Sequence, residues 1–339
     1  MAQTLLSLDL TSVAFKFQRI SGLVILGCIL LLGVSCKKEE ADTAMSLEGF
    51  GSEPIEITDD WGRDILLERP AIEVVSLVPS LTEYLFELEL GHLLVGRSEA
   101  CRYPEKTAEI PVMGTNSGAD VSRIKELDPD VVLVSTLLPK SEVQRLEAAG
   151  LKVAVFALDD WESIQKDLLN LGKLLDATGD IKTVLGWFSK QREIIQEEWQ
   201  YTEKLPISAA IVCSLDPLIL VEHGTYIDEF ITLAGGQNIA QSSATRGPDL
   251  EISFVTEQEP QVLLFSSELA EDIGTFIELL KSDPWKKMPA VLNNRIYLIE
   301  PDYLNIPGPR QIIALRQIAA ALHPEIFEAP QELRQVLVR

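Results

Sequence analysis

The residues of this chain best placed to do chemistry lie in the stretch SLVPSLTEYLF, residues 76–86. An apolar run from Val74 breaks at Pro79, a lone serine follows at 80, and Glu83 stands three residues further on. A serine at a strand-to-helix turn could be a nucleophile, but a nucleophile elbow needs Gly-x-Ser-x-Gly. Val78-Pro79-Ser80-Leu81-Thr82 carries neither glycine. Ser80-Leu81-Thr82-Glu83 instead fits a capping box: the serine hydroxyl accepts from the amide three residues on, and the glutamate accepts from the serine amide. Gly91 is then expected to supply the left-handed stop of a helix running from Leu81 to Leu90. The N-terminus of such a helix offers free amides and a positive dipole end to an anionic group.

A general base is scarce. Of three histidines, His92 and His323 are expected near helix C-termini as cations on the dipole, and His223 lies in a loop between Glu222 and Gly224. The chain has no P-loop, G-x-G-x-x-G, H-E-x-x-H or Cys-x-x-Cys motif. Asp128-Pro129-Asp130 reads as turn chemistry, and Asp59-Asp60 and Asp159-Asp160 as solvated turns. No catalytic residue, metal site or cofactor is expected, and the chain is not read as an enzyme. It carries 52 acidic against 29 basic side chains, a net charge of -23. Such a surface repels phosphate backbones, so nucleic acid is excluded as a partner.

The N-terminus is built differently. Lys16 and Arg19 precede an uncharged run from Ile20 to Val34, which ends at Ser35-Cys36 before Lys37, Lys38, Glu39 and Glu40. A basic n-region, short apolar h-region and small residues at the end make a secretory signal, residues 1–35. Fifteen helical residues span roughly 22 Å, short of a ~30 Å hydrocarbon core. LLGVSC is similar to a bacterial lipobox with Cys36 as the acylated residue, although Gly33 stands where leucine is usual. An ordinary signal peptide cleaved nearby is the alternative. Residues 36–54 are small, charged and aperiodic, as a tether would be. Cys101 and Cys213 are read as unpaired thiols.

The elements that must position these residues follow from the apolar pattern. Strands are expected at Glu73–Val78, Leu93–Gly96, Val131–Ser135, Lys152–Phe156, Ala209–Ser214, Val262–Ser266 and Ile296–Ile299. Several are continuous apolar runs, which suits strands buried on both faces of a parallel sheet. Amphipathic segments lie between them, at Val121–Leu127, Ser141–Ala149 and Ile312–Leu322. Trp161 to Lys204 carries helical spacing without strand signals, as one helix interrupted near Gly179 or as two. The fold expected is α/β: two doubly wound lobes, 55–158 and 205–339, joined by a helical bridge at 159–204. The ligand cleft would lie between them, where strand C-termini face one another.

Several segments, in this order, resemble the substrate-binding proteins of the iron-siderophore, heme and cobalamin group of ABC transporters, the cobalamin branch most of all. They are ITDDWGRDILLERP, VVSLVPSLTEYLFELELGHLLVGRSEACRYP, VSRIKEL with DPDVVLVS, GTYIDEFITLAGGQNIA, and RIYLIEPDYLNIPGPRQIIALRQIAAALHPEIF. The resemblance runs from about Ile55 to Phe327. It implies two lobes joined by a long helix that keeps lobe motion small, and a monomer that captures a metal-chelate or corrinoid ligand outside the cytoplasmic membrane. It also implies delivery to an ABC permease and its ATPase, with a lipid anchor to the membrane at the periplasmic or outer cell surface. The alternative from another class is a surface binding or sensing module uncoupled from any permease.

The resemblance implies a ligand-binding set of Pro79, Ser80, Arg97, Arg102, Tyr103, Asn116, Arg246, Asp302, Tyr303 and Arg310. The positions that face a corrin in cobalamin binders match Ala100, Asn116, Ser135, Cys213 and Gly247, none of them aromatic. That weakens the cobalamin assignment, because an apolar macrocycle needs apolar walls. Four arginines near strand ends favour an anionic ligand, with capping of a strand end or pairing to an acid as the alternative for Arg310. Family members place one exposed glutamate on each lobe to meet the permease. Here those positions match Ser122 and Ser253, with Glu126 and Glu251 as neighbouring substitutes.

Overall fold

The computed structural model describes residues 54–338 apart from 116, 203 and 241–249. The signal, Cys36 and most of the tether therefore lie outside the described residues, as do Asn116, Arg246 and Gly247.

The described residues open with an antiparallel hairpin, β1 (Ile55–Thr58) and β2 (Asp64–Leu67), whose buried side chains alternate with exposed ones. A run of parallel strands with their crossover helices follows. These are β3 (Val74–Ser76), α1 (Pro79–Glu87), β4 (Leu94–Ser98), β5 (Val112–Gly114), α2 (Val121–Leu127), β6 (Val131–Ser135), α3 (Lys140–Ala148) and β7 (Val153–Phe156). The sheet order is β5-β4-β3-β6-β7, every pairing parallel. The chain winds outward from β3 to one edge and then resumes on its other side at β6. The switch point of this doubly wound sheet thus lies between β3 and β6, where open α/β sheets form a crevice. Val131 to Val134 and all of Val153–Phe156 are buried, as both-face coverage by helices requires.

The bridge consists of two helices, α4 (Trp161–Leu174) and α5 (Thr178–Gln200). The break falls at 175–177 rather than at Gly179. Asp176 adopts φ 54°, and the Ala177 and Asp176 amides donate to Gly172 (2.7 Å) and Lys173 (3.4 Å). That is a Schellman closure with an aspartate in the left-handed position. A real capping box appears at α4, where Asp160 accepts from the Ser163 amide and Ser163 Oγ from the Asp160 amide.

The second half contains β8 (Ile207–Leu215), β9 (Leu218–Leu220), α6 (Tyr226–Leu233), β10 (Gly236–Asn238), α7 (Ile252–Glu257), β11 (Val262–Ser266) and α8 (Ile273–Lys281). It closes with α9 (Pro289–Leu292), β12 (Ile296–Ile299), α10 (Pro301–Asn305), α11 (Gln311–Leu322) and β13 (Arg334–Val336). Its sheet runs β10-β8-β11-β12-β13, with β9 added to β8. β9 and β13 pair antiparallel and the other strands parallel, so this lobe is mixed.

One apolar cluster joins the halves, running from Leu81 and Tyr84 of α1 through Leu168 and Phe188 of the bridge to Phe230 and Leu315. Polar ties reinforce it. Gln311 Nε2 donates to the Tyr84 hydroxyl at 3.0 Å across the halves, and within the second half the Tyr226 hydroxyl donates to the Leu304 carbonyl at 2.7 Å. Burial on this scale resists hinge opening, since each large side chain transferred to water costs about 1.5–3 kcal/mol.

Candidate functional site

Between the halves lies a cleft of about 380 Å³. Its N-terminal wall is made by the chain just beyond four parallel strands. Leu77 and Val78 follow β3, Ala100 follows β4, Ser135 ends β6, and Ala157 and Leu158 follow β7. The opposite wall is the segment after β12, contributing Asp302, Asn305, Ile306, Pro307 and Arg310. Ligand clefts of small-molecule binders occupy roughly 300–1,000 Å³, so a large chelate would project from this one.

The lip follows from local sequence. Val78 is the N-cap of α1 in extended conformation, with Pro79 at the first helical position, where the missing N–H costs nothing. No side chain caps this terminus. The expected capping box is therefore absent: Ser80 is the second helical residue, and Glu83 turns away toward a partner 227 residues distant. The helix stop is also misplaced in the sequence reading. Glu89, not Gly91, takes the left-handed conformation (φ 60°), with Leu90 and Glu89 amides donating to Leu85 (2.7 Å) and Phe86 (3.1 Å). Gly91 is small for another reason, since a Cβ there would lie 2.6 Å from the Phe86 ring.

Beneath the lip is a buried hydroxyl and thiol network. Thr82 Oγ1 donates to Ser76 Oγ at 2.9 Å and lies 3.1 Å from Cys101 Sγ, which is 3.2 Å from Ser98 Oγ. Burial pushes the Cys101 thiol up, so it stays protonated as a structural partner. Ser80 has no hydrogen bond to a base among the described residues, and His223 sits outside the cleft with Nδ1 2.8 Å from Asp228 Oδ2. His92 is exposed, and His323 is buried with Nε2 3.3 Å from the Gly235 carbonyl oxygen.

The cleft brings together Pro79, Ser80, Arg102, Tyr103, Asp302 and Arg310. Tyr303 does not line the cleft, although its ring lies 5.5 Å from Arg310 Cζ. Arg97 does not join them: Nε and Nη1 donate to the Thr107 and Ser98 carbonyls at 2.6 and 2.9 Å, which pins it to the backbone beside β4. Arg310 donates through Nε and Nη2 to both carboxylate oxygens of Glu83 (3.0 and 2.5 Å) and through Nη2 to Asp302 (3.2 Å). The pairing alternative for Arg310 is the arrangement observed. Burial pushes the Glu83 carboxyl up while Arg310 pulls against that shift. Sequence reasoning missed Glu83 as a cleft residue, along with Asn305, Ile306 and Pro307. The Pro307-Gly308-Pro309-Arg310 turn was the local signal for the last three, and no local signal marked Glu83.

A second carboxyl cluster braces the wall at Ala157-Leu158. The Ala157 amide donates to Asp60 Oδ2 (2.6 Å) and Asp167 Oδ2 (3.0 Å), and the Leu158 amide donates to Asp167 Oδ2 (3.0 Å). These contacts hold Leu158 at φ 54°, a costly conformation for a branched side chain. Asp59 and Asp60 are thus not solvated turn residues. Asp59 accepts from Arg63 and the Val155 amide, and Asp60 is paired with Lys166. Among the described residues no group of three or more His, Cys, Asp or Glu is arranged to hold a metal ion. Cys101 and Cys213 are free thiols.

Residues 74–303 match the model of the periplasmic binding protein family. A vitamin B12-binding protein of Vibrio campbellii is 26% identical over 267 residues, 78% of this chain and 92% of that protein. An ABC transporter substrate-binding lipoprotein of Bacillus subtilis is 23% identical over 315 residues, 90% of this chain and 96% of that protein. Among solved structures, a periplasmic heme-binding protein of Pseudomonas aeruginosa superposes with a TM-score of 0.69 at 19% identity, over 79% of this chain and 99% of that one. That last likeness speaks for the fold, two α/β lobes with a cleft. The chain belongs to the periplasmic binding protein family, a family of substrate-binding proteins.

Proposed function

We propose that this protein is a lipid-anchored, extracytoplasmic solute receptor that captures an iron complex, heme or cobalamin-like ligand and delivers it to an ABC importer permease. The observation that carries this reading is the convergence of four parallel strand ends, with Tyr103 beside them, on a cleft closed from the other lobe by Asp302 and Arg310. The apolar share of that cleft, from Leu77 and Val78 to Ile306 and Pro307, suits a ligand with an extended apolar face. The curated relative named for vitamin B12 and the structural neighbour named for heme support the ligand class. The relative named as a lipoprotein supports acylation at Cys36. Residues 36–54 then act as a tether, with lobes at 55–158 and 205–339 and the bridge at 159–204. Tethering keeps the receptor at high effective concentration beside a permease.

One observation favours the second reading, a surface binder uncoupled from a permease. Ser122 and Ser253 are each the second residue of a short helix, α2 and α7, and both are exposed. Neither can offer a carboxylate to a permease arginine, although exposed Glu126 and Glu251 stand close by in sequence. Titration of the purified chain with cyanocobalamin, hemin and ferric hydroxamate and catecholate complexes tests the shared core of both readings. At least one is expected to bind with a Kd below about 1 μM. Failure of all of them overturns the proposal. Co-purification with the reconstituted permease separates the first reading from the second.

A further inference from the structure

Arg310 lines the cleft, yet its charge is answered inside the protein. Two of its nitrogens take both oxygens of Glu83, and Asp302 takes a third contact at 3.2 Å. The Tyr103 ring covers the guanidinium face at 4.1 Å from Cζ. Room for the pair is built in at Gly308, where a Cβ would lie 2.8 Å from Glu83 Oε2. The Glu83 side chain is 2% exposed and that of Arg310 12%. Held this way, the guanidinium brings no net positive charge to the cleft. The described residues give Nη1 no hydrogen-bond partner, so two N–H donors remain on a wall whose charge is balanced. Arg102 is different. It is exposed, and its Nε donates to the Glu99 carbonyl at 3.3 Å. Among the described ionisable residues lining the cleft, Glu83 and Asp302 offset Arg102 and Arg310.

Resting on the solute-receptor reading above, we infer that Arg310 is a specificity-determining residue. Neutralised by Glu83 and Asp302, it makes this wall prefer uncharged oxygen acceptors, such as amide or hydroxamate carbonyls, over carboxylate or catecholate oxygens. A neutral carbonyl accepts from the free Nη1 hydrogens without displacing anything. An anionic group at the same place meets two resident carboxylates and must compete with Glu83 for a bidentate site already filled.

Matched probes test this directly: hemin against its dimethyl ester, cyanocobalamin against its monocarboxylic acid, and a ferric hydroxamate against a ferric catecholate complex, each followed by absorption titration of the full chain. The wild-type protein is expected to favour the uncharged member of any pair it binds. Glu83→Gln keeps the shape and one acceptor but frees the guanidinium charge, so the ratio of anionic to uncharged affinity is expected to rise at least about tenfold. Asp302→Asn, at a side chain 55% exposed, is expected to move the ratio the same way by less, and it decides the matter if Glu83→Gln fails to fold. A merely structural pair would weaken both members equally. A ratio unmoved in every folded variant, or moved the other way, overturns the inference while leaving the receptor reading intact. Absence of binding by every probe, the ferric complexes included, to the wild-type chain overturns the receptor reading itself, and the inference with it.

Discussion

Glu83 and Asp167 are both buried carboxyls beside the cleft, and the two are answered in opposite ways. Glu83 reaches across the lobes to a guanidinium that grips both of its oxygens. Asp167, on the bridge helix α4, reaches only the N-terminal lobe and meets another carboxyl, Asp60, over the shared Ala157 amide. The nearest cation to its other oxygen, Lys166, is 3.8 Å away, and that oxygen has no hydrogen-bond partner. Burial first, and Asp60 second, push the Asp167 carboxyl up to about 8. One site therefore holds a charge by pairing it, and the other holds a proton. The first fixes one lobe against the other; the second fixes a single strand end.

The largest effect expected from this contrast is at Arg310. Arg310→Met leaves Glu83 buried without its partner, and loss of one member of a buried pair costs about 3–5 kcal/mol. Denaturant unfolding measures it, and a loss under about 1 kcal/mol would show the pair to be solvated in solution.

Next comes the tie beside it. Tyr84→Phe strands Gln311 Nε2 in the core, where an unsatisfied donor costs about 1–3 kcal/mol. The double variant Tyr84→Phe with Gln311→Leu is expected to recover part of that loss, as measured by the same unfolding curves.

The Asp167 site makes a pH prediction. Its folded pKa lies above the unfolded value of 3.8, so between about pH 4 and 8 the folded state holds a proton that the unfolded state has lost. Stability from this group is full below that window and is lost as pH rises through it. Asp59, Asp60 and Lys166 face the same site and shape the slope. Asp167→Asn should flatten the fall in melting temperature across the window. An unchanged slope would mean that Asp167 is ionised in the folded protein.

The smallest effect is expected at the opening serine. A true N-cap serine contributes about 1 kcal/mol, but Ser80 caps nothing. Ser80→Ala should change stability by less than about 0.5 kcal/mol. A larger loss would restore the capping role to Ser80 and weaken the cross-lobe role of Glu83.

The long apolar runs made much of the fold legible. All seven expected strands appear, with ends shifted by no more than a few residues, because a strand buried on both faces leaves a continuous apolar signature. Strands β1, β2, β5, β9, β10 and β13, of three or four residues each, left no such trace. Helix ends at Glu89 and Asp176 were hidden for a different reason: tertiary packing imposed the left-handed conformation on residues that rarely adopt it. At the site, the sequence pointed to the lip at Pro79-Ser80 and to Arg102, Tyr103, Asp302 and Arg310. It could not show that Glu83, three residues from a serine in a familiar local pattern, belongs to an arginine 227 residues away. Local motifs compete with long-range partners, and buried charge decides for the stronger one.

The most direct measurement of the central claim is a binding titration of the purified chain with cyanocobalamin, hemin and ferric hydroxamate and catecholate complexes, run beside Tyr103→Ala and Ala157→Trp. The account predicts a Kd below about 1 μM for at least one of them, weakened at least tenfold by both substitutions. No binding of any of them, or binding that ignores both substitutions, would contradict the account.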